Sequence, residues 1–341
     1  MFHQKLSSYI FLTEKSLPVV RPVIRELRAA LFNHHFKITL NESSTSRASA
    51  SLFSQRLSDF SALVKFRLSA TVVLSSVLAY LVALGAVGVS WWAVMVLTMG
   101  GFLTTAAANI LNEVLEKDYD RQMARTANRP LAEGRLNTSD ALLLAGFSSI
   151  GGITLLALFN PWTAFLGMVS LISYAFVYTP LKRVGPVAVL VGAIPGALPA
   201  LIGCAAAEGQ ITLLGITLFA VQFFWQLPHF YAIGYLGFAD YRKAGFKLVP
   251  ERNEKVAAGI LGRDAVISTL VLLPLSVVPY FLGATSWWAA ALVVILGLVF
   301  LWFAWAFRSA PARKTALGMM FFSFAYLPLA FTIYWVGRQL L

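Results

Sequence analysis

Four acidic side chains, Glu113, Glu116, Asp118 and Asp120, follow Asn112 at the end of a long apolar stretch. If helical pitch persists through them, Asn112, Glu116 and Asp120 fall at i, i+4 and i+8. They then share one face over about two turns, with Asn109 and Glu113 beside them. Such a row is a set of hard oxygen ligands. Carboxylates crowded at an apolar boundary repel one another and lose hydration, so they need a compensating positive charge. Mg²⁺ supplies it, because it takes one or two carboxylates, several waters and the oxygens of a bound phosphate in preference to an all-protein cage. Asn112, Glu113, Glu116 and Asp120 are therefore the expected metal ligands. Arg121, Arg125, Arg129 and Arg135, with Thr126 and Asn128, follow at once and suit phosphate oxygens. The plain alternative is a solvated loop whose charges pair with one another, and the regular spacing speaks against it.

A second group surrounds His229 in the run Gln222 to Ala232. The other histidines, His3, His34 and His35, all lie near the N-terminus, so His229 is the sole imidazole in the apolar body of the chain. Gln226 and His229 are three apart, next to Pro228, with Trp225, Phe230 and Tyr231 around them, a composition that fits a pocket for a large flat ligand. Pro228 removes one helical hydrogen bond and is read here as a break that lines a cavity. An iron ligand, a proton acceptor and a cation stabiliser all remain open as roles for the imidazole. Asp240, Tyr241 and Lys247 follow as weaker site candidates. Lys182 and Arg183 form a short basic cap that either anchors a span or touches a phosphate or propionate.

These residues must be carried by membrane helices. Of the 341 residues, 58% are hydrophobic and only 12% are charged, a composition that a water-soluble domain of this size cannot hide in its core. Apolar stretches long enough to cross about 30 Å of hydrocarbon run roughly over 69–87, 91–112, 141–159, 161–180, 186–205, 211–236, 265–283, 286–307 and 316–337. Short connections alternate with longer polar ones over 113–140, 181–185, 238–264 and 308–315. With the N-terminus on the side of the longer loops, 26 of the 27 Lys and Arg residues fall on that side and only Arg338 falls opposite. By the positive-inside rule this side faces the cytoplasm, or the matrix of a mitochondrion. The net charge of +12 thus reflects membrane topology, and nucleic acid is not an expected partner. A single cysteine, Cys204, excludes an intrachain disulfide and a cysteine-based metal site. Residues 1–60 read as a cytoplasmic or transit-like extension, and residues 61–341 as the transmembrane domain.

At these positions the chain resembles the UbiA-type intramembrane prenyltransferases, and among them the branch that farnesylates haem. The superfamily's Asn-Asp-x-x-Asp-x-x-x-Asp signature falls on Asn112, Glu113, Glu116 and Asp120, with Glu in place of two Asp residues. The run Met-x-Arg-Thr-x-x-Arg-Pro-Leu follows at Met123, Arg125, Thr126, Arg129, Pro130 and Leu131. The haem branch is marked by Trp-Gln-x-Pro-His-Phe-x-Ala at Trp225, Gln226, Pro228, His229, Phe230 and Ala232, and then by a segment from Asp240 to Pro250. Quinone-type relatives carry a second Asp-x-x-x-Asp near there, which this chain lacks.

The resemblance spans about residues 60 to 335. It implies an all-α integral membrane protein of about nine transmembrane helices around a central cavity, with Mg²⁺ as cofactor. Farnesyl diphosphate is the implied donor and haem B the acceptor, giving haem O for haem-copper oxidases. Asn112, Glu116, Asp120 and His229 are then the catalytic candidates. Arg121, Arg125, Arg129, Lys182, Arg183, Trp225, Gln226, Asp240, Tyr241 and Lys247 are the substrate-binding candidates. The implied setting is a bacterial inner membrane, or the mitochondrial inner membrane, with haem A synthase or terminal-oxidase assembly proteins as recipients of product. The nearest rival is a UbiA-type enzyme acting on an aromatic or quinone precursor. A nine-span transporter would place its polar residues at mid-depth and not at one face.

Overall fold

A computed structural model describes residues 54–85, 87–249 and 253–341. The extension read over residues 1–60 lies almost wholly outside the described residues, as do its transit-like character and Pro250. The compact unit discussed below runs from Asp59 to Leu341.

Among the described residues there is no strand, and nine helices are long and apolar enough to cross a membrane. In chain order they are α1 (Phe66–Leu84), α2 (Trp91–Asp120), α3 (Thr138–Ala157), α4 (Pro161–Leu181), α5 (Val187–Glu208), α6 (Leu213–Leu236), α7 (Glu254–Phe281), α8 (Trp287–Ser309) and α9 (Arg313–Gln339). Helices are the expected outcome, since in hydrocarbon each backbone N–H and C=O must find its partner within its own segment. The short connections are built by local capping. Ser90, Asn160 and Thr212 each accept a backbone N–H from the first turn of the helix that follows, and Gly209 ends α5 in the left-handed conformation at φ +75°. Trp91, Trp92, Trp162 and Trp287 stand exposed at this end, as side chains at a membrane–water boundary do.

Successive helices pack against one another around the bundle, and α9 returns to pack on α1. α5 crosses inside, against α1, α4 and α6, and it is rich in small residues. At Gly203 a Cβ would lie 2.0 Å from the Ser76 carbonyl oxygen, so only glycine lets α1 and α5 approach this closely.

Three elements differ from the sequence expectation. α2 continues to Asp120, eight residues beyond the apolar limit at 112, because the polar face of its last two turns is buried and paired inside the protein. α7 starts at Glu254 and not near 265. Asn253 caps it by accepting Lys255 N–H and Val256 N–H, and Ala257, Ala258, Leu261 and Gly262 bury one face of the added turns, so the polar loop read over 238–264 is shorter. The break expected at Pro228 is also absent, as α6 runs unbroken from Leu213 to Leu236 with the proline inside it.

Candidate active site

The acidic row lies in the interior. Asn112, Glu113, Glu116 and Asp120 are each no more than 3% exposed, although they carry or border charge. The geometry of α2 puts Asp120 about 12 Å along the axis from Asn112. Three basic residues from three other segments meet this row. Lys65, just ahead of α1, donates from Nζ to Asn112 Oδ1 at 2.8 Å. Lys182, after α4, holds Glu116 with Nζ at 2.9 Å from Oε1 and 3.1 Å from Oε2. Arg129, in the loop after α2, donates from Nη1 to Asp120 Oδ2 at 2.7 Å, and its Nε lies 3.8 Å from Glu113 Oε1. Asn112 ties the set together, since its Nδ2 donates to Glu116 Oε2 at 3.0 Å and to Thr179 Oγ1 at 3.1 Å.

This balance is electrostatically tight. Burial, with the nearby charges of Arg129 and Lys182, pushes the Lys65 ammonium down to about 7, against the pull of Glu113 and Glu116. Burial works in the same direction on Arg129, but Asp120 and Glu113 outweigh it and raise the guanidinium above its usual range. Three carboxylate oxygens, Glu113 Oε2, Glu116 Oε1 and Asp120 Oδ1, are buried with no hydrogen-bond partner, and of these Glu116 Oε1 has the Lys182 ammonium beside it as an ion pair. Leaving such atoms bare is costly, and they mark where a cation would find free lone pairs. Among the described residues no three His, Cys, Asp or Glu side chains gather closely enough to enclose a metal by themselves. The row therefore fits a cation that shares its coordination with water and phosphate.

Along α2 toward the bundle interior, the row gives way to a chamber of about 240 Å³. Its walls come from α1, α2, α4, α5, α6 and α9, and include Asn109, Tyr174, Tyr178, Trp225, Gln226 and His229. Asn109 is one turn from Asn112, and Tyr178 immediately precedes Thr179, so the chamber and the acidic row adjoin. The side-chain N–H groups of its glutamines and of Trp225 are tied down by the protein, while Gln222 Oε1 is buried with no hydrogen-bond partner. Gln226 Nε2 donates to the Ala193 carbonyl at 2.6 Å, Gln222 Nε2 to the Gly196 carbonyl at 2.9 Å, and Trp225 Nε1 to the Ser323 carbonyl at 2.7 Å. Gly192 and Gly196 on α5 leave the room this needs, since a Cβ there would lie 2.4 Å from the Tyr178 ring and 2.2 Å from Gln226 Oε1.

The remaining candidates form a cap over the polar end. Tyr241, in the short helix Phe238–Lys243, accepts from Arg125 Nη2 at 3.1 Å and packs with Met123 and Phe246. The Lys247 backbone N–H donates to the Lys182 carbonyl at 2.8 Å, while its side chain is exposed, and Asp240 is half-buried on the short helix. Arg121 and Arg183 point elsewhere. Arg121 is spent on the Ala132 carbonyl and the exposed Asp118, and Arg183 lies over the Tyr119 ring and donates to its hydroxyl at 3.2 Å.

Sequence reasoning missed Lys65, Thr179 and Ser323. Lys65 is one loop cation among many in the sequence, and in the structure it takes a left-handed backbone at φ +47° just ahead of α1. Thr179 and Ser323 are ordinary small polar residues on apolar helices, and nothing in their spacing marks them.

Comparison with known proteins places this geometry among relatives. The profile of the UbiA prenyltransferase family matches residues 72–325. The protoheme IX farnesyltransferase of Cytophaga hutchinsonii is 39% identical over 270 residues, which is 78% of this chain and 93% of that protein. A solved structure of a digeranylgeranylglyceryl phosphate synthase superposes with a TM-score of 0.69 at 17% identity, covering 84% of this chain and all of the other. A UbiA homologue from Archaeoglobus fulgidus bound to GPP and Mg²⁺ superposes with a TM-score of 0.56 at 16% identity, covering 81% of this chain and 99% of the other.

Proposed function

The chain belongs to the UbiA prenyltransferase family and, within it, to the protohaem IX farnesyltransferases, and from that premise we propose that it transfers a farnesyl group from farnesyl diphosphate to a vinyl group of haem B and hydrates the adduct to give haem O. The observation that carries this reading is the adjacency of two unlike sites in one bundle: a buried acidic row crossed by three cations, and an aromatic chamber holding the only imidazole of the membrane body.

Glu113, Glu116 and Asp120, with Asn112, are the residues that would hold Mg²⁺, which when bound neutralises the diphosphate and makes it a better leaving group. A prenyl diphosphate and Mg²⁺ occupy the Archaeoglobus homologue, which supports a Mg²⁺ requirement here. Arg129 and Lys182, released from part of their pairing with Asp120 and Glu116, are placed to bind diphosphate oxygens, and Arg125 reaches the same cap through Tyr241. Lys65 balances the row from the α1 side. As the bond from farnesyl C1 to the diphosphate oxygen breaks, the terminal vinyl carbon of the porphyrin bonds to C1. The cation left beside the ring takes the oxygen of water, and one proton is released. The aromatic walls at Tyr174, Tyr178 and Trp225 shield the allylic cation from early capture by solvent, and Gln226 and His229 orient the porphyrin.

The enzyme is proposed to work in the bacterial inner membrane, with the acidic row and its loops toward the cytoplasm, because nearly all Lys and Arg residues lie on that side. Haem A synthase or terminal-oxidase assembly proteins are the proposed recipients of the product. Incubation of the purified full chain with haem B, farnesyl diphosphate and Mg²⁺ should yield a porphyrin heavier by one farnesyl group and one hydroxyl group. Product on an aromatic acid and none on haem would reassign the acceptor.

A further inference from the structure

The side-chain hydrogen bond that holds His229 comes from α9. Ser323 is fully buried on that helix, and its Oγ lies 2.8 Å from His229 Nδ1. The Ser323 hydroxyl has one hydrogen, and it is spent on the Met320 carbonyl at 2.5 Å, the back-bond that a serine inside a helix makes to the preceding turn. Toward the imidazole the hydroxyl oxygen can therefore only accept, which puts the ring hydrogen on Nδ1. A neutral imidazole with its hydrogen on Nδ1 carries a bare lone pair on Nε2. The ring lines the chamber, Nδ1 is the atom that meets Ser323, and the other hydrogen-bond partner of the imidazole is the Met320 carbonyl, which the same hydroxyl also bonds. The orientation of the ring is fixed as well. The Trp225 indole lies 13° from parallel to the imidazole and is tied to the same serine through its carbonyl, and Phe324 meets the ring edge-on at 4.8 Å.

We infer that Ser323 is a positioning residue that locks His229 in the Nδ1–H tautomer and so offers Nε2 to the chamber as the axial ligand for the iron of the metalloporphyrin substrate. The ligand half of this inference rests on the function proposed above, whereas the tautomer half rests on hydrogen-bond geometry alone. In metal sites the hydrogen bond made by the other ring nitrogen decides which nitrogen binds and how firmly it is aimed.

The test uses the full chain in lipid nanodiscs, with His3, His34 and His35 replaced by Gln and the remaining histidine labelled with ¹⁵N. Nitrogen chemical shifts of the ligand-free protein should show the hydrogen on Nδ1 and a bare Nε2. Ser323→Ala should mix the two tautomers, and Ser323→Thr, which keeps the acceptor oxygen, should restore the first. Titration with ferric haem B should then give an imidazole-ligated absorption and EPR signature that His229→Ala abolishes. Ser323→Ala should weaken haem binding by about tenfold, while the KM for farnesyl diphosphate stays the same in all variants. A hydrogen on Nε2 in the wild-type chain would overturn the inference without any variant having to fold. So would a Ser323→Ala chain that matches wild type in both tautomer and haem affinity. Turnover of haem with no imidazole signature would remove the ligand role and leave the proposed function standing. A wild-type chain with Nδ1–H that binds no haem would remove that function and the ligand role together.

Discussion

The mouth and the chamber of this site handle polar groups in opposite ways. At the mouth, Glu113, Glu116 and Asp120 meet Lys65, Lys182 and Arg129 in a set that nearly cancels, yet Glu113 Oε2 and Asp120 Oδ1 are left bare. In the chamber, the side-chain N–H groups of Gln222, Gln226 and Trp225 are pinned to backbone carbonyls, and His229 to a serine. One region is therefore poised to exchange partners, and the other is fixed. Diphosphate departure requires charges that can move from one anion to another, whereas steering a carbocation toward one carbon requires walls whose groups stay where they are. On the function proposed above, the contrast would give binding of the leaving group to α2 and its loop, and control of the reacting carbon to α6 and its neighbours.

The largest expected effect comes from emptying the mouth. Asp120→Ala should lower turnover by at least about a hundredfold, with helical circular dichroism and haem affinity unchanged. Full activity in that variant would dissolve the division of labour. His229→Ala should follow, weakening haem binding by roughly ten- to a hundredfold with no change in the KM for farnesyl diphosphate, both read from steady-state kinetics and haem titration. Gly196→Ala sharpens the claim that the chamber is rigid. The new methyl would lie 2.2 Å from Gln226 Oε1 and must displace that amide, at a cost of about 1–3 kcal/mol in unfolding free energy, read by thermal melts. An unshifted melt would mean that the chamber wall yields. The smallest effect is expected at Arg121, whose guanidinium faces Asp118 in the open. Arg121→Ala should cost under about 1 kcal/mol of stability and leave kcat where it was.

Much of this was legible in the sequence because membrane spans and charged motifs are loud signals. A run of about 20 apolar residues has few alternatives to a helix in lipid, and the i, i+4, i+8 spacing of Asn112, Glu116 and Asp120 needed only the persistence of pitch to be read as a face. The phosphate-binding series was read less well. Arg121, Arg125, Arg129 and Arg135 look alike on paper, but only Arg129 bonds the row. Arg135 pairs with Asp59 and Glu133, and Arg121 turns outward, since their directions depend on how the loop folds back at the short helix Pro130–Glu133. Lys65, Thr179 and Ser323 were silent because each acts across 47 or more residues of chain, through contacts that no local pattern encodes. The start of α7 was missed for a different reason: its first turns are amphipathic and too charged for a hydropathy window, though Asn253 ahead of Glu254 is an ordinary helix start.

Near the end that carries Lys182, α4 departs from α-helical winding for one stretch before its last residues, Thr179–Leu181, resume it. From Ser173 to Tyr178 the backbone widens into π geometry, and Thr179 Oγ1 folds back onto the Tyr174 carbonyl. One additional residue per turn advances everything downstream by about 100° relative to a regular helix, and that phase offset is what lets Thr179 and Lys182 both reach α2 while Tyr178 faces the chamber. Deleting Val177 should return the segment to ordinary winding and swing the ammonium of Lys182 off Glu116. A single insertion or loss in this stretch is thus a one-step route by which such a scaffold could trade one set of substrate contacts for another, with the rest of the bundle unchanged.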